Sequence, residues 1–145
     1  MTGALHVTFR VGTAEYAVPV SQVLHLESFE TATHVPGAPP YVAGLVQVRG
    51  RVVPVVDLRT RFGLPSTGHA LEHRIVVVQI GSRIAGLLVD SAREVIDLDE
   101  ATFQDAPELI KQQANGFVRG VVTIAERMFL LVDVPRLIGE ELAHE

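Results

Sequence analysis

Residues 41–63 read YVAGLVQVRGRVVPVVDLRTRFG, and residues 117–139 read FVRGVVTIAERMFLLVDVPRLIG. A shift of 76 aligns the two stretches without a gap, with seven identical residues in 23 positions. Average residue usage would give about one or two identities by chance. The identities include Gly44 with Gly120, Arg51 with Arg127, and an aspartate near the end of each stretch. The sequence therefore predicts two copies of one structural unit.

Short runs rich in valine and isoleucine fill most of the chain, and they are too short for helices. Dipeptides, most of them containing glycine, separate several of these runs in pairs, and glycine supplies the positive φ that a tight hairpin turn needs. We predict an all-β fold with strands at Leu5–Val11, Glu15–Val20, Val23–Phe29, Gly44–Val48, Arg51–Val56, Arg74–Ile80, Ile84–Val89, Glu94–Leu98, Val118–Ile124 and Arg127–Val132. The predicted hairpin turns are Gly12-Thr13, Arg49-Gly50, Gly81-Ser82 and Ala125-Glu126.

Each copy of the repeat ends in a short predicted helix. Asp57 precedes the first, and its side chain is placed to cap the helix N-terminus, with Gly63 just past the end. Asp133 precedes the second, Pro135 stands in its first turn, and Gly139 ends it. The two aspartates are therefore interpreted as helix caps rather than as paired catalytic carboxylates.

A second, weaker match appears at a shift of 69, where only two of the 15 positions in residues 12–26 are identical. With both shifts, the chain divides into two intertwined units, about 12–73 and 74–139, each long enough to close a five-stranded barrel. The second unit has the longer connection, and we expect an acidic surface loop within 96–116. Pro54 has no amide hydrogen, so we expect it at a sheet edge or a bulge.

Composition bounds the possible functions. The chain has 145 residues, of which 48% are apolar and 20% charged, so it can bury a core. It holds 17 acidic and 12 basic residues, and a net charge of −5 is unfavourable for binding nucleic acid or anionic membranes. The absence of cysteine excludes disulfides and thiolate chemistry. No apolar run is long enough to span a bilayer and no leader is recognisable, so we expect a cytoplasmic protein.

The basic residues are unevenly distributed. Residues 41–63 carry Arg49, Arg51, Arg59 and Arg61 against Asp57 alone, a net +3, while the rest of the chain carries −8. Such an island is a candidate site for an acidic partner. Arg49 stands at a hairpin tip. The repeat pairs Arg51 with another arginine, which favours a structural role, and the last two arginines are expected to be solvated.

No catalytic or metal-binding motif is present. The serine, phosphate-loop and dinucleotide motifs are missing, and the acidic loop lacks calcium-loop spacing. The six histidines lack the helical spacing of a zinc site and are interpreted as solvated loop residues: His6, His25, His34, His69, His73 and His144. The sequence thus predicts a non-enzymatic protein without metal or cofactor.

Three blocks resemble the CheW-like coupling proteins of bacterial chemotaxis. They are residues 35–59 (VPGAPPYVAGLVQVRGRVVPVVDLR), residues 83–95 (RIAGLLVDSAREV), and the closing pieces 120–122 (GVV) and 130–134 (LLVDV). The resemblance spans roughly residues 5–142 in the family's order and spacing. It implies two SH3-like five-stranded β-barrels around a shared core, with short helices. This agrees with the two units derived from the repeat.

The resemblance also implies partners and site residues. Family members bind the regulatory domain of a CheA-type histidine kinase and the cytoplasmic tip of chemoreceptors, with a receptor helix hairpin in the groove between the barrels. The implied partner-binding residues are Arg49, Gly44 and Val23. Val48 and Gly50, which are on the same predicted hairpin as Arg49, belong to this set as well. The chain departs from the pattern at Gln47-Val48, which replace Asn-Leu, and at His25, where members often carry an acid. His25 completes the candidate set.

Two other functions remain open at this point. An adaptor of a pilus or gliding pathway would be compatible with the departures from the pattern. A small-molecule sensor or an enzyme built on a double barrel would need a polar pocket of converging titratable groups, which the sequence does not reveal.

Overall fold

The computed structural model describes residues 3–65, 73–99, 103–105 and 116–139. Its strands are β1 Gly3–Val11, β2 Ala14–Pro19, β3 Val23–Ser28, β4 Val42–Val48, β5 Arg51–Asp57, β6 Arg74–Ile80, β7 Arg83–Val89, β8 Ser91–Asp99, β9 Gln104–Asp105, β10 Val118–Ile124 and β11 Arg127–Val132. The helices are α1 Leu58–Arg61 and α2 Val134–Ile138, with a 3-10 helix at Val20–Gln22. All ten predicted strands are present, and the all-β prediction is confirmed.

The strands form two sheets, in the orders β8-β1-β2-β11-β10-β9 and β3-β6-β7-β5-β4. The chain after β3 returns to the free edge of β4, where Thr33 and Leu45 exchange two backbone hydrogen bonds of 2.8 Å. In the other sheet β9 pairs with β10 at the equivalent place, Gln104 opposite Val121. Each sheet therefore closes on itself, and we call them barrel 1 (β8, β1, β2, β11, β10 and β9) and barrel 2 (β3, β6, β7, β5 and β4).

Both sequence shifts reappear in the strand pairing. In barrel 2, Val55 lies opposite Gly86 in a parallel pair. In barrel 1, Leu131 lies opposite Ala17, also in a parallel pair. Leu131 is the equivalent of Val55 under the shift of 76, and Ala17 is the equivalent of Gly86 under the shift of 69. Each barrel takes strands from both parts of the chain, because the β1–β2 hairpin pairs with β8 and β11 while the β6–β7 hairpin pairs with β3 and β5. The two copies thus exchange hairpins, and the weaker repeat is real. The boundary near residue 73 stays a prediction.

The exchange places a large core between the barrels. Within the described ranges, eighteen buried residues from both barrels and both helices form it, among them Phe9, Leu58 and Leu137. Each barrel also has its own small interior, around Val53 and Val77 in barrel 2 and around Phe129 and Leu131 in barrel 1. Burial of this apolar surface is the main stabilising term, and most of it depends on both barrels being present.

The helix caps are confirmed. The Asp57 side chain accepts a hydrogen bond of 3.0 Å from the Arg59 amide, and Asp133 accepts one of 3.2 Å from the Arg136 amide. Gly63 and Gly139 follow the helices with positive φ angles of 79° and 77°. Helix α1 joins β5 to β6 within barrel 2, α2 follows β11 of barrel 1, and both helices contribute buried residues to the core between the barrels.

Pro54 does not lie at a sheet edge, since β5 lies between β7 and β4, but the β4–β5 pairing has an irregularity between Val42 and Gly44, next to the Leu45–Pro54 pair. Leu45 lies opposite Pro54 on β4, and its amide and carbonyl groups both bond to Thr33 rather than to β5. The nitrogen of Pro54 therefore faces the other neighbour, β7. The parallel ladder with β7 begins only one residue later, at Val55. The missing amide hydrogen therefore falls at the end of a ladder.

The expected surface loop in 96–116 lies partly outside the described residues. Its described part contains the end of β8 and the two-residue strand β9, which the sequence did not predict.

Candidate partner-binding surface

The turn between β4 and β5 holds Arg49 in an unusual backbone conformation. Arg49 has φ 53° and Gly50 has φ 80°, the pattern of a type I′ hairpin turn. Glycine adopts this conformation freely, whereas a residue with a Cβ pays about 1 kcal/mol or more. The matching turn of barrel 1 has Ala125 and Glu126 at φ 49° and 69°. The fold thus holds a long cationic side chain at the tip of a tight turn.

The Arg49 side chain forms one ion pair. Its Nε donates to Glu27 Oε2 at 3.1 Å, and the arginine side chain is 66% exposed. Exposed pairs of this kind contribute little to stability because water screens them. Glu27 lies two residues after His25 on β3, so strand alternation places both on one face. Arg49 therefore pairs with an acid in this chain, but that acid is Glu27, two residues after the position of His25.

A cavity of about 280 Å³ opens beside this turn, at the hairpin end of barrel 2. It brings together three of the candidate residues, His25, Val48 and Arg49. Its other lining residues are apolar or polar side chains of β3, β5, β6 and β7: Leu24, Arg51, Val53, Val77, Gln79 and Ile84. Leu24, which is 41% exposed, adds apolar surface at the rim of the cavity.

Gly44 lies apart from the cavity and has a structural requirement of its own. It is buried with φ 145°, and a Cβ there would overlap the Thr33 carbonyl group that closes barrel 2. Gly120 is its counterpart, with the Gln104 carbonyl oxygen 3.0 Å from a Cβ position. The carried-over binding role of Gly44 stays a prediction, whereas its place in the fold explains the glycine directly.

Val23 and Gly50 also differ from the residues at the cavity. Val23 is half-buried, packs on the core between the barrels and pairs with Val78. Gly50 is exposed, and a Cβ there would meet nothing within 4 Å. Its glycine is required only by the positive φ of the turn.

The expectation that Arg59 and Arg61 are solvated is wrong. Arg59 donates to both carboxylate oxygens of Asp90, at 2.9 and 2.7 Å. Arg61 donates to the carbonyl oxygens of Leu137 and Arg136, both at 3.0 Å. Side chains on a four-residue helix reach these distant groups because α1 lies at the contact between the barrels. Only the hairpin end of the basic island is left for a partner.

Arg61 is also held between two rings. Its guanidinium carbon lies 3.6 Å from the Tyr41 ring centre and 4.7 Å from that of Phe117. The two aromatic residues are equivalent under the shift of 76, so one arginine joins the matching positions of both copies.

Asp90 connects three elements. Its Oδ2 accepts a hydrogen bond of 2.8 Å from the Gly12 amide in the β1–β2 turn, in addition to the bonds from Arg59. Partial burial opposes ionisation of this carboxyl, but the hydrogen bonds from Arg59 and Gly12 outweigh it. The net effect holds the pKa of Asp90 below its usual value.

The interpretation of the histidines as solvated loop residues is wrong at His6, His25 and His73, since His25 is a half-buried residue of β3 and the other two are buried. His6 is buried inside barrel 1 and bonds the Ala4 carbonyl oxygen through Nδ1 at 2.9 Å. His73 is buried as well, with its Nδ1 unpaired. His69 and His144 lie outside the described residues. Among the described residues, no three His, Cys, Asp or Glu side chains form a group that could hold a metal ion.

The two barrels share one buried core and carry exposed hairpin turns with polar side chains. This combination is typical of a protein-interaction module. The CheW-like domain family matches residues 5–142, and the chain belongs to this family. Within the described part of the chain, no helix is long and apolar enough to cross a membrane.

Curated relatives carry the same family name. The chemotaxis protein CheW of Rhizobium meliloti (strain 1021) is 34% identical over 93% of this chain and 87% of its own length. That of Bacillus subtilis (strain 168) is 33% identical over 97% of this chain and 90% of its own. The crystal structure of the scaffolding protein TtCheW from Thermoanaerobacter tengcongensis superposes with a TM-score of 0.84 at 28% identity, covering 91% of this chain and 90% of that one.

These findings confirm the resemblance, the double SH3-like barrel and the non-enzymatic scaffold function. Proteins of the CheW family couple receptors to the kinase CheA in chemotaxis. The pilus or gliding adaptor and the small-molecule sensor, left open by the sequence, are not favoured by the matches.

Proposed function

We propose that this protein joins the cytoplasmic tips of chemoreceptors to the regulatory domain of a CheA-type histidine kinase. It acts in the cytoplasm, at membrane-associated receptor arrays, without inserting into the membrane or binding nucleic acid. The net charge of −5 supports the last point, because phosphate backbones repel such a chain.

The observation that carries the proposal is Arg49 at its strained turn beside the cavity. The turn holds the Arg49 side chain at the rim of the cavity with 66% of it exposed, where a partner can reach it. The guanidinium keeps donors available beyond its single bond to Glu27. This arrangement can bind a carboxylate or a carbonyl group of a partner.

Coupling requires that a contact on one barrel influence the other. The core shared by the barrels and the Arg59–Asp90 bonds give the molecule a stiff connection between them. A receptor that biases the position of one barrel thereby biases a kinase domain held by the other, through packed contacts alone. The placement of the receptor in the groove between the barrels, with the kinase on the barrel surfaces, stays a prediction.

The test is reconstitution with purified receptor cytoplasmic fragments and the full-length kinase from the same cell. We expect the protein to sediment with each partner alone, and the kinase to sediment with receptor only when the protein is present. Kinase that sediments equally well without the protein, or a protein that binds neither partner, would contradict the proposal. Bovine serum albumin in place of the protein controls for crowding.

A further inference from the structure

The hairpin end of barrel 1 is closed by an arginine and two acids. Arg127 donates to Glu15 through Nη2 at 2.8 Å and Nε at 3.4 Å, and its Nη2 lies 2.7 Å from Glu94 Oε2. Its guanidinium carbon lies 4.9 Å from the centre of the Phe129 ring. The bonds to Glu15 and Glu94 raise the pKa of Arg127 above its already high value. The arginine has the structural role that the sequence predicted.

The same end of barrel 2 has an arginine with other neighbours. Arg51 is the counterpart of Arg127, and the two sequence shifts place His25 where barrel 1 has Glu94 and Ile84 where it has Glu15. The strand pairing confirms the first correspondence, since His25 lies opposite Val77 as Glu94 lies opposite Thr8, the residue equivalent to Val77. Both acids are therefore absent from this site.

The loss of the acids has two consequences. Arg51 is exposed and has no ion pair with any residue in the described ranges, so it lacks the paired contacts that Arg127 makes, and its structural interpretation stays a prediction. Val53 replaces the larger Phe129, and the 280 Å³ cavity opens beside Arg51 and above Val53. Barrel 2 thus keeps the cation and lacks both the carboxylates and the ring that cover it in barrel 1.

We propose that the hairpin end of barrel 2 binds an acidic segment of a protein partner. A carboxylate of that segment pairs with Arg51 as Glu15 and Glu94 pair with Arg127, and an apolar side chain beside it fills the space that the Phe129 ring occupies in barrel 1. The proposal rests on the proposed function for the source of the segment, the kinase or the receptor, and adds the chemistry by which it is recognised.

Charge and exposed apolar surface both fit this occupant. The cavity lining contains the cationic side chains of Arg49 and Arg51 and, among the described residues, no acidic one, and Glu27, which lies outside the lining, is bonded to Arg49. An acidic segment is attracted and a basic one repelled. The apolar floor of Val53 and Val77 and the exposed Leu24 give the segment a surface to bury beyond the ion pair.

The first test uses a peptide probe and needs no natural partner. The acetylated and amidated tripeptide Glu-Phe-Glu is titrated into labelled protein while methyl NMR signals are followed. We expect saturable shifts of Val53, Val77 and Ile84, at least fivefold weaker binding with Lys-Phe-Lys, and a similar loss with Arg51→Glu. The control Arg119→Glu reverses an exposed charge on barrel 1 and should bind normally. Equal binding of the two peptides, or shifts confined to other residues, would overturn the proposal.

The second test transplants the closed end of barrel 1 into barrel 2. The double variant His25→Glu/Ile84→Glu gives Arg51 two internal carboxylates, so we expect partner affinity to fall at least tenfold although no arginine is removed. The control Thr13→Glu/Ser82→Glu adds the same charge on two exposed turns, one in each barrel. Because a glutamate at the half-buried position 84 can impair folding, the exposed substitution Arg51→Glu is measured beside it.

The outcomes separate the two proposals. Partner binding by the unmodified protein, with Arg51→Glu and the double variant within twofold of it, would overturn the acidic-segment proposal and leave the coupling function intact. If the unmodified protein binds neither kinase nor receptor, the coupling function fails, and the peptide titration still decides whether the barrel end selects acidic segments.

Discussion

Arg59 and Asp90 face each other with two parallel hydrogen bonds, 2.9 and 2.7 Å long, across the contact between the barrels. Each side chain is 20% exposed, so water screens the pair only partly. Asp90 also holds the turn of the β1–β2 hairpin, which has been exchanged into the other barrel. The pair therefore fixes the exchanged hairpin relative to α1.

Replacing Asp90 should destabilise the protein in a pH-dependent way. Asp90→Asn removes the charge that Arg59 binds, and we expect a loss of about 1–3 kcal/mol at pH 7 in urea unfolding. The folded state lowers the pKa of Asp90, so its contribution is complete above the usual aspartate pKa, near 4, and declines as the pH falls from there through the lower folded-state value. The difference between variant and unmodified protein should therefore shrink below pH 4. A constant difference from pH 7 to pH 3 would contradict this account.

Arg49→Asp should abolish partner binding without harming the fold. The side chain is exposed and its single ion pair is screened, so we expect the free energy of unfolding to change by less than about 1 kcal/mol. Affinity for kinase and receptor is measured by pulldown. Ala125→Asp is the matched control, because Ala125 occupies the same turn position in barrel 1 with a similar φ. Equal partner affinities for Arg49→Asp and the unmodified protein would show that Arg49 has no binding role.

Gly44→Ala should cost far more stability than Gly50→Ala, although both glycines have positive φ. At Gly44 the new methyl group meets the Thr33 backbone, and we expect a loss of more than about 2 kcal/mol. At Gly50 nothing lies nearby, and only the backbone cost of about 1 kcal/mol applies. Denaturant midpoints measured side by side test the difference. The explanation would be wrong if the two variants lost equal stability.

Arg61→Ala should weaken the contact between the barrels. It removes two hydrogen bonds to the carbonyl groups of α2 and uncovers the Tyr41 and Phe117 rings, and charge-assisted bonds of this kind contribute about 1.5–3 kcal/mol. Thermal unfolding and amide exchange of α2 report the effect. Arg119→Ala, an exposed position on β10, is the control and should change little. Unaltered exchange in α2 would rule out the role assigned to Arg61.

Much of the local structure could be read from the sequence, because it depends on neighbours a few residues away. Turn dipeptides marked the hairpins, aspartates marked the helix starts, and the shift of 76 revealed the repeated unit. The strand β9 could not be predicted, because it consists of two residues whose strand pairing depends on the position of β10 and on no local sequence pattern. The position of Pro54 inside the sheet could not be predicted for a similar reason: the end of a parallel ladder is a property of two distant strands.

The candidate site was predicted less completely. Arg49 stood out because a hairpin tip is recognisable by itself. The four arginines of residues 41–63 looked alike in the sequence, yet they differ in the structure, where Arg59 and Arg61 are bound across the barrel contact. The different neighbours of Arg51 and Arg127 follow from the repeat at a shift of 69, which relates His25 to Glu94 and Ile84 to Glu15. With only two identities in 15 positions, that repeat is too weak in the sequence alone to predict the difference.

By itself, the sequence determined the ten main strands, the turns, the caps and the duplication, since each follows from the conformational preferences of adjacent residues. The tertiary structure alone decided that the hairpins exchange between barrels and that one arginine of an equivalent pair is neutralised while the other is left open. The reason is physical: burial and ion pairing depend on which strands lie side by side, and here residues 112 positions apart, Glu15 and Arg127, meet across one barrel end.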